Sequence, residues 1–379
     1  MPRNGSQPKS RIKIQKPKTK PLVSPLLSWF TQNARDLPWR RTRDPYSIWV
    51  SEIMLQQTQV NTVIPYWEHW MRELPTIETL AKANSEKIHK LWEGLGYYTR
   101  VRNMQKAAQS LVANCDGEFP NQFDQVLALP GIGRYTAGAI CSIAFNQPTP
   151  ILDGNVIRVL TRIFAIAEDP RDKKASAQLW RLAEQLVLHA WRIPSHASAC
   201  SHLNQSLMEL GALVCTPRAP RCSNCPVNKH CLAFKQNQVE LFPNLGKRIA
   251  ATERRFAAFV LESKGKILVR QRPAGVVNAH LWEFPNIELQ NGTAVPFAAS
   301  KLLGFEPQTC GSLCRIQHSI TRYRITLEAF SVSGFPKSLG KTETWRTLLE
   351  LKELPFPSAH KKILHQLITR TATAAHRIT

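Results

Sequence analysis

The sequence predicts a mainly α-helical N-terminal part followed by a smaller α+β domain. Three observations lead there. Across residues 21–235, apolar side chains recur three and four positions apart, the spacing of one helix face. Between residues 236 and 250 (QNQVELFPNLGKRIA) that period lapses into a linker. Beyond it, short runs rich in β-branched and aromatic residues take over, through residues 251–370. A chain of 379 residues is long enough for two or three domains.

Taken in order, residues 1–20 hold seven basic and no acidic residues, repeated prolines and no hydrophobic period. They read as a disordered basic arm able to touch phosphates. A mitochondrial presequence fits less well, because the prolines prevent an amphipathic helix. Helices are predicted over 25–30, 45–60, 76–91, 99–112, 122–129, 135–145, 155–166, 175–188 and 201–214. After the linker, 256–261 and 266–270 read as strands joined by Ser263-Lys264-Gly265, a hairpin signal. Residues 322–332 alternate, with Tyr323, Ile325 and Leu327 inward and Arg324, Thr326 and Glu328 outward. Residues 357–368 close the domain as a helix.

Composition narrows the function. The longest apolar run, residues 137–145, is far short of the ~18–20 residues of a membrane span. No apolar block follows the basic start, so the expectation is a protein that is neither secreted nor membrane-bound. If the source is bacterial, it is cytoplasmic or nucleoid-associated. The net charge is +23, spread over the arm (+7), residues 21–249 (+7) and residues 250–379 (+9). Such an excess implies a polyanionic partner, most simply nucleic acid. Nine unevenly spaced cysteines do not make a secreted disulfide framework.

Four local patterns carry chemistry. Cys215, Cys222, Cys225 and Cys231 lie within 17 residues and can wrap one compact centre. Their spacing suits a structural zinc ion and a 4Fe–4S cube equally. Leu129-Pro130-Gly131-Ile132-Gly133-Arg134-Tyr135 ends one helix and starts another. Gly131 and Gly133 let backbone approach a ligand, and the free N–H groups of the new helix can hold a DNA phosphate. Asp153-Gly154-Asn155 precedes a helix, so Asp153 is a natural N-cap. An ionised carboxylate held there could also stabilise a nearby sugar cation. Glu52 sits in the apolar stretch Ile48-Trp49-Val50-Ser51-Glu52-Ile53-Met54-Leu55. It is either a helix-surface residue or a buried carboxyl whose raised pKa makes it a proton donor. Gln56-Gln57-Thr58 follow, suited to base or backbone contacts.

Together these residues resemble the MutY family of adenine-specific DNA glycosylases. The strings that carry the resemblance are LPWRRTRDPYSIWVSEIMLQQTQV (37–60), WEGLGYYTRVRN (92–103), LPGIGRYTAGAI (129–140), ILDGNVIRVLTR (151–162), LMELGALVCTP (207–217) and the four cysteines. It covers residues 25–235 densely and 250–370 loosely. The resemblance implies a helix–hairpin–helix core of two lobes around a cleft, with a 4Fe–4S cluster on the four cysteines. It also implies a Nudix-like C-terminal domain that reads 8-oxoguanine. The partner would be double-stranded DNA with adenine opposite 8-oxoguanine or guanine, bound by a monomer. Glu52 and Asp153 become catalytic, as proton donor and cation stabiliser, supported by Tyr135 and Asn155. Arg40 and Glu209 would line the adenine pocket, Gln57 would contact the opposite lesion, and Tyr97 would wedge into the stack.

Residue 135 separates two related activities. The endonuclease III group, which removes oxidised pyrimidines and cuts the strand, carries a Lys after the GxGR turn as its Schiff-base amine. Tyr135 stands there, which implies a glycosylase without strand cleavage. The C-terminal part departs from family patterns twice. No Glu-rich magnesium-binding Nudix box follows residues 281–285, so nucleotide hydrolysis is not expected. The nearest match to the lesion-reading Phe-Ser-His loop is His318-Ser319-Ile320, which reads either as a lesion contact through Ser319 or as an ordinary hairpin turn in a sheet. The rival readings are a lyase of the endonuclease III kind, a non-catalytic DNA-binding module and a nucleotide hydrolase.

Overall fold

The computed structural model describes residues 18–246, 250–290, 292–334, 336 and 338–375. The helical part runs α1 (Lys20–Asn33), α2 (Pro45–Leu55), α3 (Val60–Glu73), α4 (Ile77–Lys82), α5 (Ser85–Leu91) and α6 (Thr99–Asn114). It continues through α7 (Phe123–Leu127), α8 (Arg134–Phe145), α9 (Gly154–Phe164), α10 (Lys173–Trp191), α11 (Ala199–Leu213) and α12 (Leu232–Lys235). Their apolar faces bury into two separate cores. One gathers α2 to α8 around the fully buried Trp49, Trp70 and Trp92. The other gathers α1 with α9, α10 and α11 around Leu22, Leu160, Leu186 and Leu203. Each such side chain contributes ~1.5–3 kcal/mol on leaving water. Helix α8 belongs to both, giving Ala137 and Ile140 to the first core and Ala139 to the second. It is therefore the wall between two lobes.

The second part is a seven-stranded mixed sheet. Its strands are β1 (Thr252–Ser263), β2 (Lys266–Gln271), β3 (Trp282–Glu283), β4 (Asn286–Leu289), β5 (Thr309–Ile320), β6 (Tyr323–Ser333) and β7 (Glu343–Thr347). Helix α13 (Val295–Leu303) covers one face through Ala298 and Ala299. Helices α14 (Leu348–Glu353) and α15 (Ser358–Ala375) cover the other through Leu351, Ile363 and Leu364. The hairpin between β1 and β2 closes on Lys264 and Gly265, both at positive φ, as a tight two-residue turn needs. No helix of the described residues is long and apolar enough to cross a membrane.

The structure corrects the sequence reading in several places. The helix expected over 45–60 ends at Leu55, where Gln56 leaves helical geometry. The helix expected over 76–91 is two helices, because the Asn84 side chain accepts a hydrogen bond from Glu86 N and starts α5 afresh. Helix α3 was not expected, since Pro65 lies inside it and interrupts the pattern. The basic arm is described only from residue 18, where Thr19 is buried and α1 begins at Lys20; residues 1–17 lie outside the described residues. The linker of 236–250 begins on the helical core, because Phe242 is buried there and its carbonyl takes a hydrogen bond from Arg162. Residues 318–320 are not a loop. They are the last three residues of β5, and the turn beyond them is Thr321-Arg322.

Candidate active site

Asp44 starts α2 by accepting hydrogen bonds from Tyr46 N and Ser47 N, with Pro45 in the first turn. Tyr46 to Met54 are all buried, so this helix is packed on every side. Glu52 is carried inside with it and is only 5% exposed. The surface reading of Glu52 is thereby excluded. Its Oε2 accepts a hydrogen bond from the Tyr135 hydroxyl at 2.6 Å. Burial pushes the Glu52 carboxyl up to about 7; the Tyr135 bond opposes the rise, and the Asp153 charge adds to it. Tyr135 lies in the first turn of α8, and its hydroxyl also meets Met208 Sδ at 3.4 Å. Burial and the adjacent Glu52 hold this phenol well above its ordinary value.

Asp153 enters from the other lobe as the N-cap of α9. Its Oδ1 accepts from Val156 N at 2.7 Å and its Oδ2 from Asn155 Nδ2 at 2.9 Å. Burial raises the Asp153 pKa, against these two bonds, which favour the anion. The helix start therefore does not settle its charge alone, as the local pattern suggested. Asn155 is fixed in turn: Arg158 donates to its Oδ1 at 2.8 Å, and Gly211 packs so closely that a Cβ there would lie 2.6 Å from the Asn155 Cβ.

Glu209, on α11, is 1% exposed and surrounded by donors. Arg35 gives it Nε at 2.7 Å, Nη2 at 2.8 Å and its backbone N at 3.0 Å, and Arg40 gives Nη2 at 2.8 Å. Burial alone would raise its pKa, but the two arginines prevail and hold it at about 2. The expected pair of Arg40 and Glu209 is thus a trio. Arg35 was missed because it lies two residues before the string that carried the resemblance.

Gln57 and Tyr97 are both exposed, Tyr97 at 46%, and both have positive φ. One guanidinium fixes both turns. Arg100 donates to the carbonyls of Ile53 and Gln56 at 2.7 Å, Leu95 at 2.9 Å and Gly96 at 3.1 Å. A cleft of about 260 Å³ lies between these turns and Gly131. Gly131 has φ +77° and its Cα faces Asn103, so only glycine fits; Gly133 is extended and carries no such demand. No side chain caps the start of α8, which leaves its first N–H groups free for an anion. Ser319 belongs to the sheet of the C-terminal part. It is exposed on β5, paired with Arg324 across the hairpin.

Cys215, Cys222, Cys225 and Cys231 line one cavity with Val159, Arg162 and Leu210. Arg162 is 1% exposed; its Nη1 lies 3.3 Å from Cys215 Sγ, and its carbonyl accepts from Cys231 Sγ at 3.3 Å. Arg158 also holds the Cys215 carbonyl, at 2.8 Å. The two arginines stand four apart on α9, on one helix face, a spacing that could have marked them in the sequence. Among the described residues, no three His, Cys, Asp or Glu side chains close on a single metal ion.

A two-lobed helical core with a buried acid and a second carboxyl from the opposite lobe defines a base-excision DNA glycosylase. The description "HhH-GPD superfamily base excision DNA repair protein" matches residues 50–185, and "NUDIX domain" matches residues 257–366. Among solved structures, a thermostable thymine-DNA glycosylase aligns with a TM-score of 0.52 and 30% identity, over 57% of this chain and 97% of that one. The adenine DNA glycosylase of Mus musculus is 37% identical, over 82% of this chain and 70% of that protein. That of Homo sapiens is 42% identical over 69% of this chain, which spans 56% of the human protein's length. The chain belongs to the adenine DNA glycosylase family.

Proposed function

We propose that this chain removes adenine from DNA where it is mispaired with 8-oxoguanine or guanine, and leaves the strand uncut. The observation that carries this is Glu52, a buried carboxyl with a pKa of about 7, bonded to Tyr135 and facing the charge of Asp153. A buried acid reaches a base only if that base leaves the duplex, and a mispair lowers the cost of flipping. Glu52 then protonates a ring nitrogen of adenine. The bond from sugar to base breaks, its electron pair leaves with the base, and the sugar becomes an oxocarbenium-like cation. Asp153 stabilises that cation, or bonds to it briefly before water adds. Asn155 and Tyr135 hold the two carboxyls in register. Arg35, Arg40 and Glu209 offer fixed donors and acceptors to the base edge. Gln57, Tyr97 and Ser319 face the opposite strand, and Gly131 with the start of α8 holds a phosphate.

The four cysteines suit a 4Fe–4S cluster, since all four line one cavity. The cluster would staple the cysteine loop to α9, and no step of base removal uses it. Anaerobically prepared protein is expected to be brown, with about four iron atoms per chain; stoichiometric zinc in place of iron would contradict this.

The deciding experiment is a single-turnover assay on a duplex with one adenine opposite 8-oxoguanine. Alkali should reveal an abasic site at that adenine. Borohydride should trap nothing, because Tyr135 offers no amine for an imine. Strand scission before alkali, with efficient trapping, would restore the lyase reading.

A further inference from the structure

Glu93 has no part in the chemistry above. It follows α5, four residues before Tyr97, and its side chain is only 4% exposed. Two of its three partners belong to the C-terminal domain. Phe356 N donates to Oε1 at 3.0 Å, and Lys361 Nζ donates to Oε2 at 2.6 Å. The third, Lys90, lies 3.2 Å from Oε2 and also donates to the carbonyls of Lys352 and Leu354. Among the described residues, Lys361–Glu93 is the one ion pair that crosses between the two parts. The segment it grips is rigid from the other side as well. Phe356 is fully buried against Phe284, with ring centroids 5.7 Å apart, and Pro355 O accepts from Trp282 N at 2.9 Å.

A second contact involves the neighbouring helix. Arg102 Nη1, on α6, donates to Ala279 O at 3.2 Å. His89 stacks on His280 at 6.4 Å, and Leu281 is buried in the core of the first lobe. The contacts of His89, Lys90, Glu93 and Arg102 all land on the α5–α6 segment, which carries Tyr97. The two parts both bear excess positive charge, +7 over residues 21–249 and +9 over residues 250–379. Like-charged bodies gain nothing from long-range attraction, so a buried acid at the joint is the element that offsets the repulsion.

We propose that Glu93 is a positioning residue for lesion reading: it docks the C-terminal domain on the α5–α6 segment and thereby sets the β5–β6 hairpin opposite the Gln57 and Tyr97 turns. Both sides of a mispair are then gripped by one rigid frame. This rests on the reading of Ser319, Gln57 and Tyr97 given under Proposed function.

The full-length protein tests it with Lys361→Glu, a change at a residue 53% exposed that sets a second carboxylate against Glu93. X-ray scattering of the DNA-free protein should show a larger radius of gyration than wild type. Adenine excision opposite 8-oxoguanine should fall about 10-fold relative to excision opposite guanine, with near-UV circular dichroism of the helical core retained. Exchanging the charges, with Glu93→Lys and Lys361→Glu together, should restore part of both. An unchanged radius overturns the clasp. A larger radius with an unchanged preference overturns its role in positioning. If wild type itself shows no preference for the lesion, the lesion-reading assignment fails instead, and the radius alone decides whether Glu93 docks the domains.

Discussion

Two buried glutamates in the two lobes have opposite fates. Glu52 on α2 and Glu209 on α11 are 5% and 1% exposed, yet one titrates at about 7 and the other at about 2. Depth does not separate them; donors do. Glu209 receives four hydrogen bonds from two arginines, enough to hold its charge in the interior. Among the described residues Glu52 receives one, from a phenol, and no cation pairs with it. Arg40 acts on both, but of the two glutamates it bonds to Glu209. Glu209 is thereby held as an anion and Glu52 as an acid, which supports the recognition and proton-transfer roles proposed for them. One residue type serves two roles because the neighbours differ.

The largest effect should come from removing the acid. Glu52→Gln keeps shape and hydrogen bonding but donates no proton, so single-turnover excision should fall by ~10²–10⁴-fold. Duplex binding should survive, since phosphate contacts dominate affinity. The same variant should be more stable than wild type at pH 8. With a pKa of 4.5 unfolded and about 7 folded, Glu52 costs stability progressively as pH rises from 4.5 to 7, by about 3 kcal/mol once fully ionised. Thermal melts of both proteins at pH 5 and pH 8 check this; an equal gap at both values contradicts the assigned pKa.

Asp153→Asn separates the cap from the chemistry. Asn caps a helix as well as Asp, so folding should be preserved. Without an anion for the sugar cation, excision should still fall by ~10²-fold or more. Near-normal turnover in a folded variant would leave Asp153 a cap only. The double variant with Glu52→Gln should lose far less than the separate losses combined, because the two groups act as a unit.

Glu209→Gln is expected to behave in the opposite sense to Glu52→Gln. Here the folded pKa is lowered, so the stabilisation is present above pH 4.5 and fades as pH falls toward 2. Gln should cost ~1–3 kcal/mol near neutral pH by leaving Arg35 and Arg40 poorly paired. Chemical denaturation at pH 7 measures it, and a neutral result would place the ion-paired trio among pairs that contribute nothing.

The smallest effect sharpens the role of Tyr135. Excision should decline tenfold per pH unit above about 7, as Glu52 ionises. The Tyr135 bond lowers that pKa, so Tyr135→Phe should move the falling limb to higher pH by a fraction of a unit. A limb that stays in place would show that the phenol does not tune the acid.

Much of this was legible in one sequence, for local reasons. The glycine turn at 131–133, the Asp153 cap, the cysteine spacing and the β1–β2 hairpin each depend on residues within a few positions of one another. The helical cores follow from apolar spacing, which needs no knowledge of partners. Two failures had local causes that apolar spacing does not register. Pro65 hid α3, and Asn84 divided what looked like one helix.

Tertiary structure alone decided the charge of the site and its supports. Glu52 and Glu209 both stand in apolar helices, and nothing in either stretch tells that one is an acid and the other an anion. That difference comes from Arg35 and Arg40, which are 174 and 169 positions away from Glu209. Arg100, Arg158 and Arg162 look like surface charge in sequence but hold carbonyls in the interior. Glu93 reads as part of a turn until Lys361, 268 positions on, closes over it. The residue types, the turns and the helix faces are properties of short segments, which sequence carries. Burial and partner identity set pKa and docking, and these exist only once distant segments pack.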